Sequence, residues 1–314
     1  MKVFTLVMLI LASFIGAGFC SGREVSTYFV ELGDSCYLYC IAFGVLFCIM
    51  LNVFLLFGKY KLQCHTSIIC TMATMVIASN MIAGSVTIGD NVFVRVVLFV
   101  ISICTAIFTC IGGIKRVGNF SVILVPIMVV CIIVVCLCSY NKCDMQIAIS
   151  SYGTIKTINY LIFNMITMGM FLVNIGDNYS KKDISIASII ASIIIVLLMI
   201  IMCNAISTNE AQYVPMPLLF LGNNISNFCG VICKVVVYLA LLTTLITSTN
   251  ALVDYLAIYS HNKFTCIVAV FSVCALVSTF GFVSIVKYGY TIVGYIGIVY
   301  VVDILITYKT KKQE

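Results

Sequence analysis

The sequence predicts an all-α protein that crosses a membrane many times, and three observations support this prediction. Hydrophobic residues make up 63% of the 314 positions, and charged residues make up only 9%. A soluble chain of this length needs far more polar surface to meet water. The apolar residues form runs of about 20, the length that an α-helix needs to cross a bilayer. Basic residues cluster in the connections between these runs. The sequence therefore predicts a polytopic helical membrane protein.

Ten such runs follow one another along the chain when a window of about 20 residues is used. We place the ten predicted spans at Val3–Val30, Cys36–Phe57, Thr66–Ile88, Val92–Gly113, Phe120–Tyr140, Lys156–Gly176, Ile184–Ile206, Val231–Tyr259, Phe264–Val286 and Tyr290–Tyr308. Together they form a single transmembrane domain over residues 1–314.

The basic residues in the connections predict the orientation of these spans. If the N-terminus is cytoplasmic, the cytoplasmic side holds Lys2, Lys59, Lys61, Lys115, Arg116, Lys181, Lys182, Lys263, Lys309, Lys311 and Lys312. The opposite side holds the shorter set Lys142, Lys156, Lys234 and Lys287. Cytoplasmic loops carry an excess of lysine and arginine. We therefore expect a multi-pass protein of the cell membrane with both termini in the cytoplasm.

The cysteines and histidines do not indicate a metal site. Most of the 17 cysteines lie inside predicted spans, where cysteine behaves as a small apolar residue. His65 and His261 lie far apart and without a nearby Cys-x-x-C, so zinc is not expected. The net charge of +6 follows the predicted topology and does not indicate a nucleic-acid partner. The expected partners are the lipid bilayer and a small solute, and the oligomeric state stays open.

The first predicted span contains an unusual run of glycines. Gly16, Gly18 and Gly22 are followed at once by Arg23 and Glu24. Glycine in a helix costs about 1 kcal/mol relative to alanine, so three together predict a local break. The backbone groups freed by a break at membrane depth must line a cavity or be covered by other helices. A broken helix that faces a cavity is typical of the substrate and ion sites of secondary transporters.

Two other interpretations of the N-terminal region are weaker. The apolar run that ends at Ala17–Cys20 resembles a secretory signal, but the span-like sequence after it favours a retained helix. The small residues could also serve close helix packing rather than a site.

The sixth predicted span offers a counterpart to this break. Its segment Ile162–Phe171 places Asn164, Thr167 and Gly169 at the centre of the span. Two interrupted helices at matching places predict an inverted repeat, with a first half over about 1–140 and a second over about 150–308. The alternative is that Asn164 and Gly169 are packing residues of an ordinary span. The connector Ser207–Cys229, which contains Pro215 and Pro217, is expected to hold at most a short surface helix.

Several segments resemble one family of membrane proteins. The sequence G-A-G-F-C-S-G-R-E at Gly16–Glu24 resembles the GAGFASGQE signature of the bacterial YkvI-like membrane proteins. Further similar segments, in the order of that family, are Phe163-Asn164, V-P-M-P at Val214–Pro217, L-L-T-T at Leu241–Thr244 and Y-G-Y-T-I-V-G-Y-I-G at Tyr288–Gly297. Cys20 and Arg23 depart from the signature, which has alanine and glutamine there.

The resemblance implies a fold and a substrate site. The family belongs to the amino acid–polyamine–organocation superfamily, whose LeuT-type fold has five plus five inverted spans with helices 1 and 6 broken. In such a fold the free N–H groups of the first break face the solute, together with side chains of the sixth span. The implied substrate residues are Gly16, Ala17, Gly18, Phe163 and Asn164, with Asn80 of the third span as a lesser candidate.

The resemblance also implies a sodium site between the first and eighth spans. Carried over by the match at Ala240–Thr244, its ligands are the hydroxyls of Thr243 and Thr244 and the carbonyls of Ala240, Ala12 and Ile15. Thr247 and Ser248, one turn on, form an alternative pair. The threonines could instead bond back to their own helix. The predicted fifth span has no lysine, which disfavours the proton coupling that some relatives achieve with a lysine there.

Charged residues near the break complete the candidate site. A charge inside a span is by default a functional candidate that needs a partner. We expect Arg23 and Glu24, with Lys287 across the outer vestibule, to form a gate. The alternative is a pair of side chains that reach the outer rim without a functional role.

These observations favour a secondary active transporter of a small polar solute, an amino acid or a related compound, that works by alternating access and is coupled to sodium. The alternative function is a membrane-embedded nutrient receptor subunit that binds a solute without net transport. Enzyme activity is not expected, because H-E-x-x-H, G-x-S-x-G and the phosphate-binding G-x-x-x-x-G-K-[ST] are absent from the sequence.

Overall fold

The computed structural model describes residues 2–58, 67–112, 117–141, 150–260 and 262–313, without the side chains of 57, 58, 67, 112, 117–123, 170, 174 and 307–313. All regular elements in these ranges are helical. The predicted loop residues Lys59, Lys61, His65, Lys115, Arg116, Lys142 and His261 lie outside the described ranges.

Fourteen α-helices occur in the described part of the chain. They are α1 (Lys2–Phe14), α2 (Ala17–Cys20), α3 (Arg23–Tyr28), α4 (Cys36–Gly58), α5 (Ser67–Thr87), α6 (Val92–Gly112), α7 (Val117–Cys138), α8 (Ser151–Gly176), α9 (Lys181–Thr208), α10 (Pro217–Ile225), α11 (Asn227–Ala257), α12 (Lys263–Ser278), α13 (Phe282–Ser284) and α14 (Tyr290–Gln313). Two 3₁₀ turns, Val30–Ser35 and Ala211–Tyr213, and one π-helical turn, Ile285–Gly289, connect them.

Six helical segments in the described ranges are long and apolar enough to cross a membrane. They are Val30–Leu56, Ile68–Thr87, Val92–Ile111, Lys181–Thr208, Asn227–Ala257 and Phe282–Ile306. Three shorter helical segments are apolar as well, namely Lys2–Phe14, Leu124–Cys138 and Lys263–Ser278. The prediction of an all-α membrane protein is therefore confirmed.

The larger number of ten spans stays a prediction. Helix α8 has 26 residues but belongs to neither of these groups. It carries Lys156, Asn159 and Asn164, which lower its hydropathy. Polar residues on a helix in a membrane protein face the protein interior and not the lipid, and Asn159 and Asn164 are both buried.

The predicted break in the first span is present. Helix α1 ends at Phe14, Gly16 has an extended backbone with φ −89° and ψ −177°, and α2 then runs for only four residues. A second interruption follows at Gly22, whose φ of 79° lies in the left-handed region that favours glycine. A Cβ at Gly22 would lie 3.2 Å from side-chain atoms of both Ile206 and Pro217, so the close packing at this position also favours glycine.

The break predicted in the sixth span is wrong. Helix α8 continues without interruption from Ser151 to Gly176. The Asn164 side-chain amide donates to the Tyr160 carbonyl at 2.8 Å, and the Thr167 hydroxyl donates to the Asn164 carbonyl at 2.9 Å. Gly169 faces the Phe54 ring, where a Cβ would come within 2.6 Å. These residues pack the helix and do not unwind it.

The helices form two packed groups. In one group α4 packs against α8 and α9, and α1 packs against α9. In the other group α5 packs against α11 and α12, and α11 packs against α6. Helix α7 contacts members of both groups, α9 and α11. The outer face of α6 exposes apolar side chains such as Phe93 and Phe108, as expected for a surface in contact with lipid.

Polar caps define where several helices begin. The hydroxyls of Ser150 and Ser226 accept hydrogen bonds from the third backbone N–H beyond them, which starts α8 and α11. Ser180 and Asp183 form a reciprocal capping box at the start of α9. Pro217 occupies the first turn of α10, where its missing N–H has no cost.

The connector before α11 partly matches its prediction. Its described structure is a short 3₁₀ turn and the nine-residue helix α10. Leu218 and Leu221 of α10 are buried, so this helix packs into the protein and does not lie on its surface. The Leu218 backbone N–H donates to the Ser21 carbonyl at 3.0 Å, which fixes α10 to the break in the first span.

Candidate solute cavity at the helix break

A cavity of about 710 Å³ lies beside the break in the first span. This volume falls in the usual range for sites that bind small molecules. The residues that line it come from α1, α2, α3, α5, α7, α8, α11 and α14. From the break, the cavity extends along the first half of α5 and the second halves of α8 and α11. It therefore reaches toward the end of the bundle at which α1 begins.

Most residues predicted for the site line this one cavity. They are Gly16, Ala17, Gly18, Phe163 and Asn164 for the solute, Ala12, Ile15, Ala240, Thr243 and Thr244 for the ion, and Glu24. Asn80, Arg23 and Lys287 lie elsewhere. The sequence thus identified residues that come together, although the roles predicted for some of them differ from their contacts.

The backbone at the break presents unpaired N–H groups. Among the described residues, the N–H groups of Ala17, Gly18 and Phe19 donate to no backbone carbonyl. The Gly16 carbonyl accepts from Cys20 N at 2.9 Å, and the Ser21 hydroxyl donates to the Gly18 carbonyl at 2.9 Å. Unpaired N–H groups at the start of a helix carry partial positive charge. The break can therefore donate to a polar group in the cavity.

Asn80 does not line the cavity itself but hydrogen-bonds to Tyr290, which does. The Asn80 side-chain amide donates to the Tyr290 hydroxyl at 2.8 Å, and both side chains are buried. The Tyr290 ring stacks on Phe163 with 4.1 Å between ring centroids, and both rings line the cavity. Sequence reasoning did not single out Tyr290, although it lies in the segment Tyr288–Gly297 that carries part of the family resemblance.

The hydroxyls proposed for the ion are of two kinds. Thr243 donates to the carbonyls of Leu239 and Ala240 at 2.9 and 3.1 Å, and Thr247 bonds back to its own helix in the same way. No hydrogen bond is seen for the hydroxyls of Thr244 and Ser248 within the described ranges, and both line the cavity. Hard cations bind the oxygen lone pairs of a hydroxyl, which stay available when its hydrogen is donated elsewhere, so Thr243, Thr244 and Ser248 can each supply a ligand.

The environment of Glu24 differs from the one predicted for it as a member of a charged gate. Its carboxyl lines the cavity with only 6% of the residue exposed. The Tyr160 hydroxyl donates to Glu24 Oε2 at 2.8 Å. Glu24 Oε1 lies against Gly18, where a Cβ would overlap it. In the described part of the chain, no basic side chain forms an ion pair with Glu24.

Arg23 and Lys287 do not form a gate with Glu24, so this prediction is corrected. The Arg23 guanidinium is buried and donates to the carbonyls of Gln212 and Val214 at 3.2 and 3.4 Å. It clamps α3 to the connector before α10. Lys287 lies in the π-helical turn and is exposed, and its amine lies 5.9 Å from the centroid of the Tyr288 ring.

A cluster of buried rings covers the other side of Glu24. We call it the aromatic cluster, and its members are Phe14, Tyr28, Phe29, Phe43, Tyr160 and Phe163. Tyr160 lies at its centre, with ring centroids 4.7 Å from Tyr28 and 5.3 Å from Phe43. Because Tyr160 precedes Phe163 on α8, the cluster separates the cavity from the end of the bundle at which α8 begins.

The comparisons with known proteins leave the resemblance to the YkvI-like family a prediction. No model of a known protein family matches this chain, and no curated protein is significantly similar to it.

Proposed function

We propose that this membrane protein is a secondary transporter that moves a small polar solute, an amino acid or a related compound, by alternating access. The observation that carries the proposal is the broken first span: Ala17 and Gly18, whose N–H groups donate to no backbone carbonyl, line a cavity of about 710 Å³. Backbone without helical bonds is tolerated at membrane depth where it lines a cavity. A binding site at a discontinuous helix is the usual arrangement in secondary transporters.

Helix packing supports ten spans in a LeuT-type arrangement of five plus five, and the YkvI-like assignment rests on the similar sequence segments alone. In this proposal α1 to α3 form the first span and α8 forms the sixth. The packing of α8 on α4 then corresponds to that of α1 on α9, and the packing of α5 on α12 corresponds to that of α11 on α6. Likewise α7 contacts α9 as α14 contacts α4. Such repeated partners are expected of two halves related by a pseudo-twofold axis.

The position of the cavity supports an inward-facing state. If the N-terminus is cytoplasmic, as the basic residues predict, the end of the bundle where α1 begins faces the cytoplasm. The cavity then opens toward the cytoplasm, and the aromatic cluster closes the route to the outside. Alternating access requires a second state in which this cluster opens.

A sodium ion is the proposed coupling ion. It would be held by the carbonyls of Ala12, Ile15 and Ala240 and by the hydroxyl of Thr244, with Ser248 nearby. The hydroxyl of Thr243 can join them, because it donates its hydrogen within α11 and keeps its oxygen lone pairs for a cation. All these residues line the cavity, which supports a site that contacts the solute region directly.

The melting temperature of the purified protein with a panel of amino acids tests this proposal. A ligand that binds only the folded state stabilises it by about 2.7 kcal/mol at one hundred times its Kd. We expect at least one member of the panel to raise the melting temperature. A solute that binds but is not moved across vesicle membranes would instead support the receptor function. A panel without any effect, together with an absence of flux, would count against transport.

A further inference from the structure

Glu24 is the one charged residue among the side chains that line the cavity in the described structure. It is almost fully buried, and within the described ranges it has no cationic partner. A carboxylate removed from water is costly unless it is paired, and such groups are often neutralised by a proton. A buried acidic residue inside a membrane protein is by default a functional candidate.

The neighbours of Glu24 provide no positive charge in the described structure. Tyr28, Tyr160 and Tyr290 face it from α3, α8 and α14, and tyrosine is neutral below about pH 10. Cys20 of α2 is a buried thiol, which is also neutral at physiological pH.

The cations adjacent in sequence to Glu24 and Tyr160, namely Arg23 and Lys156, are engaged elsewhere. Lys156, one turn before Tyr160 on α8, donates to Glu31 at 2.6 Å and to the Thr27 carbonyl at 2.7 Å. The Arg23 guanidinium is directed at the connector carbonyls of Gln212 and Val214. Neither charge is available to compensate an ionised Glu24.

The two carboxyl oxygens of Glu24 lie in different surroundings. Oε2 accepts the Tyr160 hydroxyl and so contacts the centre of the aromatic cluster. Oε1 lies beside Gly18, a residue that lines the cavity. The carboxyl therefore occupies the boundary between the open cavity and the closed side of the molecule.

We propose that Glu24 is a proton-binding site, loaded from the cavity in the conformation seen here, whose proton is exposed to the opposite side when the Glu24–Tyr160 hydrogen bond opens. Moving Tyr160 out of the centre of the aromatic cluster must break this bond, so opening of the cluster and release of the proton are one event. The protein thereby gains a route to proton coupling, separate from the proposed sodium site, that requires no lysine in the fifth span. The coupling rests on the proposed transport, whereas the proton site rests only on the contacts of Glu24.

Modification of the full-length protein with dicyclohexylcarbodiimide tests the proton site. This apolar reagent reacts with protonated carboxyls in apolar surroundings, and peptide mass spectrometry locates the adduct. We expect a single adduct on Glu24 that increases as the pH falls from about 8 to about 5, a range in which exposed glutamates are ionised. No adduct on Glu24 across this range, or an adduct that does not vary with pH, would overturn the proposal.

Matched variants make the assignment specific. Glu24→Gln should lose the adduct, whereas Asp90→Asn, which removes the exposed carboxylate of the pair with Lys234, should keep it unchanged. Tyr160→Phe should increase labelling at neutral pH, because the ionised carboxylate loses its hydrogen-bond donor. A decrease in Tyr160→Phe would contradict the role given to this bond. The labelling requires no transported solute. A negative labelling result would therefore contradict the proton site without contradicting transport, and a negative flux result would contradict transport without contradicting the proton site.

Discussion

The Tyr160 hydroxyl donates a 2.8 Å hydrogen bond to the Glu24 carboxyl, and this bond joins the middle of α8 to the segment that follows the break in the first span. Both residues are buried. A hydrogen bond contributes about 0.5–1.5 kcal/mol when both groups are neutral and about 1.5–3 kcal/mol when one of them is charged. Two of the elements that line the solute cavity are thus held together at the point where the cavity ends.

The close approach of Gly18 to Glu24 leads to a prediction about stability. In Gly18→Ala the new Cβ would overlap Glu24 Oε1, so the carboxyl must move away from its hydrogen bond with Tyr160. We expect a loss of about 1–3 kcal/mol, measured as a lower melting temperature. Gly16→Ala is the matched control, because its Cβ would meet no atom within 4 Å and should change stability by less than about 0.5 kcal/mol. Equal effects of the two variants would contradict the packing described.

The bond between Asn80 and Tyr290 can be tested with a double-mutant cycle. Asn80→Ala leaves the buried Tyr290 hydroxyl without its hydrogen-bond partner. Tyr290→Phe likewise leaves the buried Asn80 amide without its acceptor. Each change should cost about 1–3 kcal/mol. The double variant should cost less than the sum of the two, because neither group then remains unpaired. Strictly additive values would show that the two side chains do not interact.

Arg23 and Lys287 should differ sharply in their effect on stability. Arg23→Ala removes two hydrogen bonds from a buried guanidinium to the connector carbonyls, at a cost of about 1.5–3 kcal/mol. The connector should then become more sensitive to protease. Lys287→Ala removes an exposed side chain and should change the free energy of unfolding by less than about 0.5 kcal/mol. A large effect of Lys287→Ala would contradict the exposed position described for this side chain.

The proposed sodium site predicts a specific dependence on one hydroxyl. Sodium chloride should raise the melting temperature relative to choline chloride, and Thr244→Ala should abolish this difference. Thr105→Ala is the control, since Thr105 bonds back to its own helix on the outer face of α6. A sodium effect that persists in Thr244→Ala would remove this residue from the site. Stabilisation by amino acids without any dependence on sodium would remove sodium as the coupling ion.

The parts of the fold that depend on local sequence could be predicted. Three glycines within seven positions predicted the break in the first span, because the cost of glycine in a helix is local. Apolar runs predicted helices that cross the membrane, since length and hydropathy are also local properties. The same reasoning failed for α8, where Asn164 and Thr167 bond to carbonyls of their own helix and leave it intact.

The partners within the site could not be predicted from the sequence. Tyr160 lies 136 positions from Glu24, and Arg23 lies 189 positions from Gln212. Nothing in the local pattern distinguishes a charged residue that reaches a backbone carbonyl from one that forms an ion pair. The sequence therefore identified which residues surround the cavity better than it identified what each of them contacts.

Solute flux into proteoliposomes tests the proposed function most directly. The protein is reconstituted, and uptake of a radiolabelled amino-acid mixture is compared with protein-free vesicles. Ala251→Trp should block uptake, because Ala251 lines the cavity on the second half of α11. Val235→Trp, on the exposed apolar face of the same helix, should leave it unchanged. Uptake that is lost in Ala251→Trp alone would support transport through this cavity. Binding of amino acids without uptake, or equal uptake by the two variants, would contradict it.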